Sequence, residues 1–425
     1  MTPILWRTLV ASAALSASSA LATEPLGIAA LPQSAVHYPL LLPTAAVRPL
    51  IDQTPSVAAA RAGLAVARQD AGLLTDSPYE WTAKVTTQRR TVDTGARYGE
   101  WNAGIERTLR LPDKARADGS LAQATLDEAK ARHGEALHDM TRDLLGLWLD
   151  WAHAEQGQAL SLRHLQASQE NLRIVEKRVK AGDAARLDAS LARAELAEQQ
   201  RASIEVKTAV AVAWAHLQAR FPGFDRDLSA FPAALPLVGD GSLWRARILD
   251  QSDELKTAEA QMQKMQARGA RAHAEKIPDP TVGLFTASEV GGRERLTGIM
   301  FSIPIPGSQR TRHADRSVHA DEMSRQEVAS KKRQLDAVIG AGFARTQGAF
   351  EGWQIAETGA ADMQDNARLM ARAYALGEAD LQALLSARRQ ATTAAQNALS
   401  AKVAASRSYY GLLVDAHLIW DMAHE

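Results

Sequence analysis

The chain contains no cysteine. That removes disulfides, thiolate metal sites, thiol nucleophiles and a lipid-bearing N-terminal cysteine together. Aromatic residues are scarce, 5% of the chain against 46% hydrophobic, and alanine makes up most of the difference. Alanine is the strongest helix former and lets helices approach closely, so the composition points to long helices packed side by side. An excess of charge of one sign is also missing, because 49 Lys and Arg balance 49 Asp and Glu. No global field therefore draws the chain to nucleic acid. Beyond the N-terminus no window holds ~18 consecutive apolar residues, so no transmembrane helix is expected. The motifs of catalysis are absent too: no Gly-rich phosphate loop, no G-x-S-x-G and no H-E-x-x-H. His313 and His319 are six apart, and His133 and His138 five apart. On a helix those spacings put each pair on different faces, so neither reads as a metal site. No enzyme activity and no cofactor are expected.

What is present begins with "MTPILWRTLVASAALSASSALATEP". Arg7, an apolar run from Leu9 to Leu21 and the Ala20-Leu21-Ala22 end have the layout of a signal peptide over residues 1–22, cleaved after Ala22. A short membrane anchor is the weaker reading, because the run is short and rich in Ser and Ala. Residues 23–50 carry five prolines and read as an extended N-terminal segment. Helix begins near Pro55 and stops at Asp76-Ser77-Pro78. In "YEWTAKVTTQRR" and "GEWNAGIERTLRL", Trp81, Ala83 and Val85, then Trp101, Ala103 and Ile105, alternate with polar residues. This is a β-hairpin at about 79–111. From Pro112 to about Lys180 no proline interrupts the chain, and roughly 65 residues of helix span about 100 Å. Gly182 in "KAGDAARLD" breaks that helix, and a shorter one runs to about Arg220. "FPGFDRDLSAFPAALPLVGDG" then forms an equatorial linker over 221–242.

The second half repeats the first. "IDQTPSVAAARAGLAVA" at Ile51 returns as "LDQSDELKTAEAQMQKM" 198 residues later. Pro112 matches Pro306 and Arg116 matches Arg310, both at 194, and Gly182 matches Gly377 at 195. The unit is helix, β-hairpin, very long helix, tight turn, shorter helix. One copy covers 51–220, with its tip turn at about 181–185. The other covers 243–425, with its hairpin at about 280–305 and its tip turn at about 375–380. On the fourth strand Thr297, Ile299, Phe301, Ile303 and Ile305 form an apolar face suited to lipid. A lone hairpin is marginal in water and cannot cross a membrane with open edges. Four strands are too few to close, so closure calls for several chains, and a homotrimer with a twelve-stranded barrel is the natural solution. The competing reading packs the hairpins on a soluble helical domain.

"PDPTVGL", a glycine turn and "SIPIPGSQR" resemble the second-hairpin signature of the TolC-like outer membrane efflux family. The "TPSVAAARAGLAVA" opening and the "AGDAARLD" and "LGEADLQ" turns fit the same plan over essentially the whole mature chain. The wording is most similar to the cobalt–zinc–cadmium heavy-metal branch. The resemblance implies a mainly α protein with a small membrane β-barrel part. It implies a homotrimer whose barrel sits in the outer membrane on a long periplasmic helical tunnel. The partners it implies are a periplasmic adaptor (membrane fusion protein), an inner-membrane RND-type pump and outer-membrane lipid. It implies adaptor contact at the tip turns, through Ala181, Gly182, Arg186, Leu187, Leu376 and Gly377. Two features depart from the family. Thr23, not a lipidated cysteine, begins the mature chain. Ala383 and Ser386 stand where some relatives carry two aspartates at the tunnel entrance, so acidic selectivity falls to Asp183, Glu378 or Asp380. Those three are equally readable as ordinary helix-end charges. Trp81, Trp101 and Tyr79 are candidates for an aromatic girdle, or for packing on the helices. The expected function is an efflux exit duct for divalent heavy-metal cations. The alternatives are the same duct for drugs, other small organics or a polypeptide, and a periplasmic adaptor or structural coiled coil.

Overall fold

A computed structural model describes residues 40–227 and 229–422. The signal peptide and residues 23–39 lie outside the described residues. The elements run α1 (Thr44–Asp52), α2 (Pro55–Thr75), β1 (Thr82–Thr91), β2 (Arg97–Thr108), α3 (Pro112–Ala181) and α4 (Arg186–Arg220). Then follow α5 (Gly241–Gln251), α6 (Asp253–Ala274), β3 (Thr281–Glu289), β4 (Glu294–Ser302), α7 (Ser308–Leu376) and α8 (Leu381–Asp415). The two halves carry the same elements in the same order.

Part of the segment read as extended over 23–50 is helix α1. Its prolines hide it: Pro43 is the N-cap and Pro49 sits inside, where a nine-residue helix loses one hydrogen bond. Val47 and Ile51 are fully buried and hold it in place. In the second half α5 occupies the same position before Ser252 that α1 occupies before Thr54. Each repeat therefore opens with two helices, not one.

The long helices α3 and α7 have 70 and 69 residues, about 105 Å at 1.5 Å per residue. α3 opens on Pro112 and α7 follows Pro304 and Pro306, and each ends on a left-handed glycine, Gly182 at φ 86° and Gly377 at φ 80°. In both turns the N–H of the next residue reaches back to the carbonyl five residues earlier, Asp183 to Arg178 and Glu378 to Ala373. This is the Schellman closure, which needs positive φ and so favours glycine. Near the tips α4 packs on α3, α3 on α8 and α8 on α7. Toward the sheet α2 packs on α3, α3 on α6 and α6 on α7. The helices thus form an open row, with α2 and α4 on one side and α7 on the other.

Between tips and sheet lies a belt that holds most of the buried aromatic residues. Trp148, Trp151, Phe221 and Tyr410 are almost fully buried. Trp151 packs on Trp214 and Phe224, and Trp148 on Trp420. The linker is irregular but anchored: the Tyr410 hydroxyl donates to Ala233 O, and Trp244 Nε1 donates to Val238 O. The few aromatics are spent where helical repeats cannot supply the packing.

Candidate functional site

The four strands make one antiparallel sheet in the order β1-β2-β3-β4. Directly paired residues share a face, so the register sorts the sheet into two. Ala83, Ile105, Leu284 and Ile299 stand in one row, and Val85, Ala103, Thr286 and Thr297 in the next. Arg107, Val282 and Phe301 form a third row, with the Arg107 guanidinium over the Trp81 ring. On this face Val85, Ile299 and Phe301 are exposed by 74%, 75% and 64%. The opposite face is polar: Lys84 pairs with Glu106 at 2.6 Å, and Arg90 bridges Glu100 and Glu289. Gly104, Phe285 and Gly298 are cross-strand neighbours there. A Cβ on Gly298 would meet the Phe285 ring at 2.6 Å, so the glycine makes room for the ring to lie across the strand.

Of the five residues expected on the apolar face, Thr297, Ile299 and Phe301 lie in β4. The strand ends at Ser302, and Ile303 and Ile305 belong to the connector into α7. Pro304 and Pro306 lack the N–H that a longer ladder needs. Ile305 is nevertheless 95% exposed. Trp81 and Trp101 are exposed at opposite ends of the apolar rows, about 20 Å apart along the strands at ~3.4 Å per residue. Tyr79 is placed differently, with its hydroxyl 2.7 Å from Asp279 Oδ2.

That carboxylate belongs to the Pro278-Asp279-Pro280 stretch and is the hub joining sheet to helices. Its Oδ1 accepts the Leu111 N–H at 3.0 Å, and its Oδ2 lies 3.0 Å from Lys114 Nζ. Both partners come from the entrance to α3, in the other repeat. Lys114 is fully buried and also faces Glu275, which Arg271 and Arg310 hold as well. Burial alone would push the Asp279 carboxyl up. The Tyr79 hydroxyl, the Leu111 N–H and the Lys114 ammonium outweigh it and hold the pKa below the usual carboxylate range. Burial and the hydrogen bond to Asp279 push Tyr79 up to about 12. Arginines close the preceding helices: Arg110 donates to the carbonyls of Leu74, Thr75 and Asp76, and Arg310 donates to that of Glu275. The sequence match of Arg310 to Arg116 thus misses the working counterpart, since Arg116 is exposed and pairs with Asp113.

At the far end the two tip turns come side by side. Val175, Ala189, Ala192, Tyr374, Leu381, Leu384 and Leu385 form one buried cluster beneath them, and the Arg178 guanidinium lies 4.9 Å above the Tyr374 ring. Ala181, Gly182, Arg186 and Gly377 are exposed. Leu187 and Leu376 are 67% and 66% exposed. Asp183 and Glu378 are exposed with no ion pair among the described residues. Asp380 serves its own helix, where it N-caps α8 by accepting the Ala383 N–H at 2.7 Å. The carboxylate of Asp188 does the same for the Ala185 N–H at the start of α4.

No described helix is long and apolar enough to cross a membrane. The sequence pattern of the outer membrane efflux protein family matches residues 47–220. No curated protein sequence matches the chain. Among solved structures, the chain is similar to CusC, studied for its folding and transmembrane channel formation: 17% identity over 87% of this chain and 91% of that one, TM-score 0.69. It is similar to the outer membrane protein VceC of Vibrio cholerae, with 15% identity over 88% and 96% of the two chains and TM-score 0.70. It is also similar to the open state of the MtrE outer membrane channel of Neisseria gonorrhoeae, with 17% identity over 88% of each chain and TM-score 0.66. The chain has the fold of these outer membrane channels, and its first repeat carries the sequence pattern of the outer membrane efflux protein family.

Proposed function

We propose that this chain is one protomer of a trimeric outer-membrane channel, the exit duct of a tripartite efflux system, with divalent heavy-metal cations as cargo. The observation that carries the reading is its pair of matched open edges. β1 and β4 are both unpaired on their outer sides, and the helix row is open at α2 and α4 on one side and at α7 on the other. Joining opposite edges head to tail is the contact that closes into a ring. Three copies of four strands make a twelve-stranded barrel of the kind that spans outer membranes. In that ring the face of Val85, Ile105, Leu284, Ile299 and Phe301 meets lipid, with Trp81 and Trp101 near the interfaces. The face of Lys84 and Glu106 lines the lumen.

The exposed turns at Ala181, Gly182, Arg186, Leu187, Leu376 and Gly377 are the surface for a periplasmic adaptor, fed by an inner-membrane RND-type pump. Threefold repetition of Asp183, Glu378 and Asp380 puts acidic groups around the entrance, which favours cations. The metal cargo rests on the resemblance of "PDPTVG" and "SIPIPG" to the heavy-metal branch. Extraction of the outer membrane in mild detergent should yield a trimer; a soluble periplasmic monomer would sink the channel reading. Deletion of the gene should sensitise cells to zinc, cobalt, cadmium, nickel or copper. Sensitivity to dyes and antibiotics alone would reassign the cargo and leave the channel standing.

A further inference from the structure

His138, Asp253 and His417 come from three distant parts of the chain: from α3, from the first residue of α6, and from just past the end of α8. A ligand atom from each lies within 4.8 Å of the other two. His417 Nε2 and Asp253 Oδ2 are 3.4 Å apart. Both atoms are buried without a hydrogen bond, and Asp253 is only 6% exposed. Buried polar atoms normally find partners at hydrogen-bond distance, and here each of the two has only the other, at 3.4 Å. The other ring nitrogen of His417, Nδ1, lies 3.1 Å from Asp421 Oδ1. His138 Nε2 lies 3.5 Å from Asp415. A carboxylate behind the ring, as Asp421 stands behind His417, is the support that metal-ligating histidines carry.

We infer that His138, Asp253 and His417 form a resident site for one divalent transition-metal ion of the zinc type, which staples the C-terminal segment to α3 and α6. Two imidazoles and a carboxylate suit Zn²⁺, Co²⁺ or Ni²⁺, and a water completes four-coordination. Ligands ~2.0–2.1 Å from a tetrahedral ion stand about 3.3 Å apart, close to the His417–Asp253 separation. The backbone is shaped around the group. α8 ends in the same reversal as α3 and α7, with Leu418 N–H on Leu413 O and His417 N–H on Val414 O. At the tips the left-handed position of that turn is a glycine; here it is His417 at φ 53°. A side chain kept where glycine would relax the backbone points to a use for that side chain. On α3, Gly134 leaves the space: a Cβ there would stand 3.2 Å from Asp253 Oδ1. The cleft between them has a volume of about 10 Å³, room for one water or one ion. The rings of His138 and His417 are nearly parallel, with centroids 5.2 Å apart. His138 is the less buried of the two.

The site goes beyond the channel reading and does not depend on the cargo, since it lies at the belt and away from the tip turns. The full chain, purified in detergent and stripped with chelator, is titrated with Zn²⁺ or Co²⁺ alone. One ion per chain is expected, with the visible bands of four-coordinate Co²⁺ and a higher unfolding temperature in Zn²⁺. His138→Gln and His417→Asn should abolish all three, and the exposed His319→Ala should keep them. Asparagine accepts positive φ, so the His417 variant retains the turn. Absence of a saturable Co²⁺ signal in the unmodified chain, or uptake that survives both substitutions, overturns the site and leaves a buried His–Asp pair. None of the three readouts requires a trimer or transport.

Discussion

Asp279 stands between two prolines and ties the second hairpin to the first long helix. Replacing it with alanine leaves Lys114 buried and facing only Glu275 at 3.4 Å. Removing one partner of a buried pair costs about 3–5 kcal/mol, and D279A should lose stability on that scale in denaturant unfolding of the solubilised chain. The double variant K114M/D279L, which removes both charges, should lose far less. Equal losses in the two would mean the pair is not what holds the junction. The pH dependence follows from the same group. Its folded pKa is depressed, so its stabilisation is complete above the unfolded value near 4 and is lost as pH falls through the folded value. Glu275 acts in the same direction: burial opposes ionisation, and Arg271 and Arg310 outweigh it. Tyr79 works at the other limit. Its pKa of about 12 means that its contribution is lost as pH rises through that value. The unfolding temperature should therefore fall below about pH 4, and D279N should flatten part of that acid limb. The "PDP" wording marks this stretch in the sequence, but nothing there names Tyr79, Leu111 or Lys114 as the partners. They lie in the other repeat and arrive only by folding.

The reversals at Gly182 and Gly377 were legible, because a long proline-free helical pattern broken at a glycine has one physical meaning. Alanine at Gly377 must adopt φ 80°, at a cost of about 1–2 kcal/mol. G377A should speed hydrogen exchange of the amides around 374–384, whereas G348A, inside α7 with open space around it, should not. Equal exchange in both would show that the turn does not depend on glycine. Helices α1 and α5 were not legible as a pair. Periodicity needs more than nine residues to stand out, and prolines obscure α1; buried Val47 and Ile51 decide it. Strand ends were blurred for a related reason. Ile303 and Ile305 continue the alternation, but prolines on either side of Ile305 stop the ladder at Ser302.

Across the whole molecule, every open edge has a counterpart of the same kind on the opposite side. If the ring forms in a membrane, the two sheet faces must differ sharply in tolerance. Arginine at Ile299, on the apolar face, should cost about 2–4 kcal/mol near mid-bilayer and reduce the trimer recovered from outer membranes. Arginine at Thr86, on the polar face, should leave recovery near the unmodified level. Similar losses at both positions would count against the lipid-facing assignment. Duplication, the helix–hairpin–helix order and the absence of thiol chemistry are local or compositional properties, readable because periodicity, proline and glycine act over a few residues. The junction at Asp279, the aromatic belt and the meeting of His138, Asp253 and His417 were decided by tertiary structure. Their partners come from elements far apart in the chain, in the belt from 63 residues for Trp151 and Trp214 to 272 for Trp148 and Trp420, and no local pattern records which buried charge will face which.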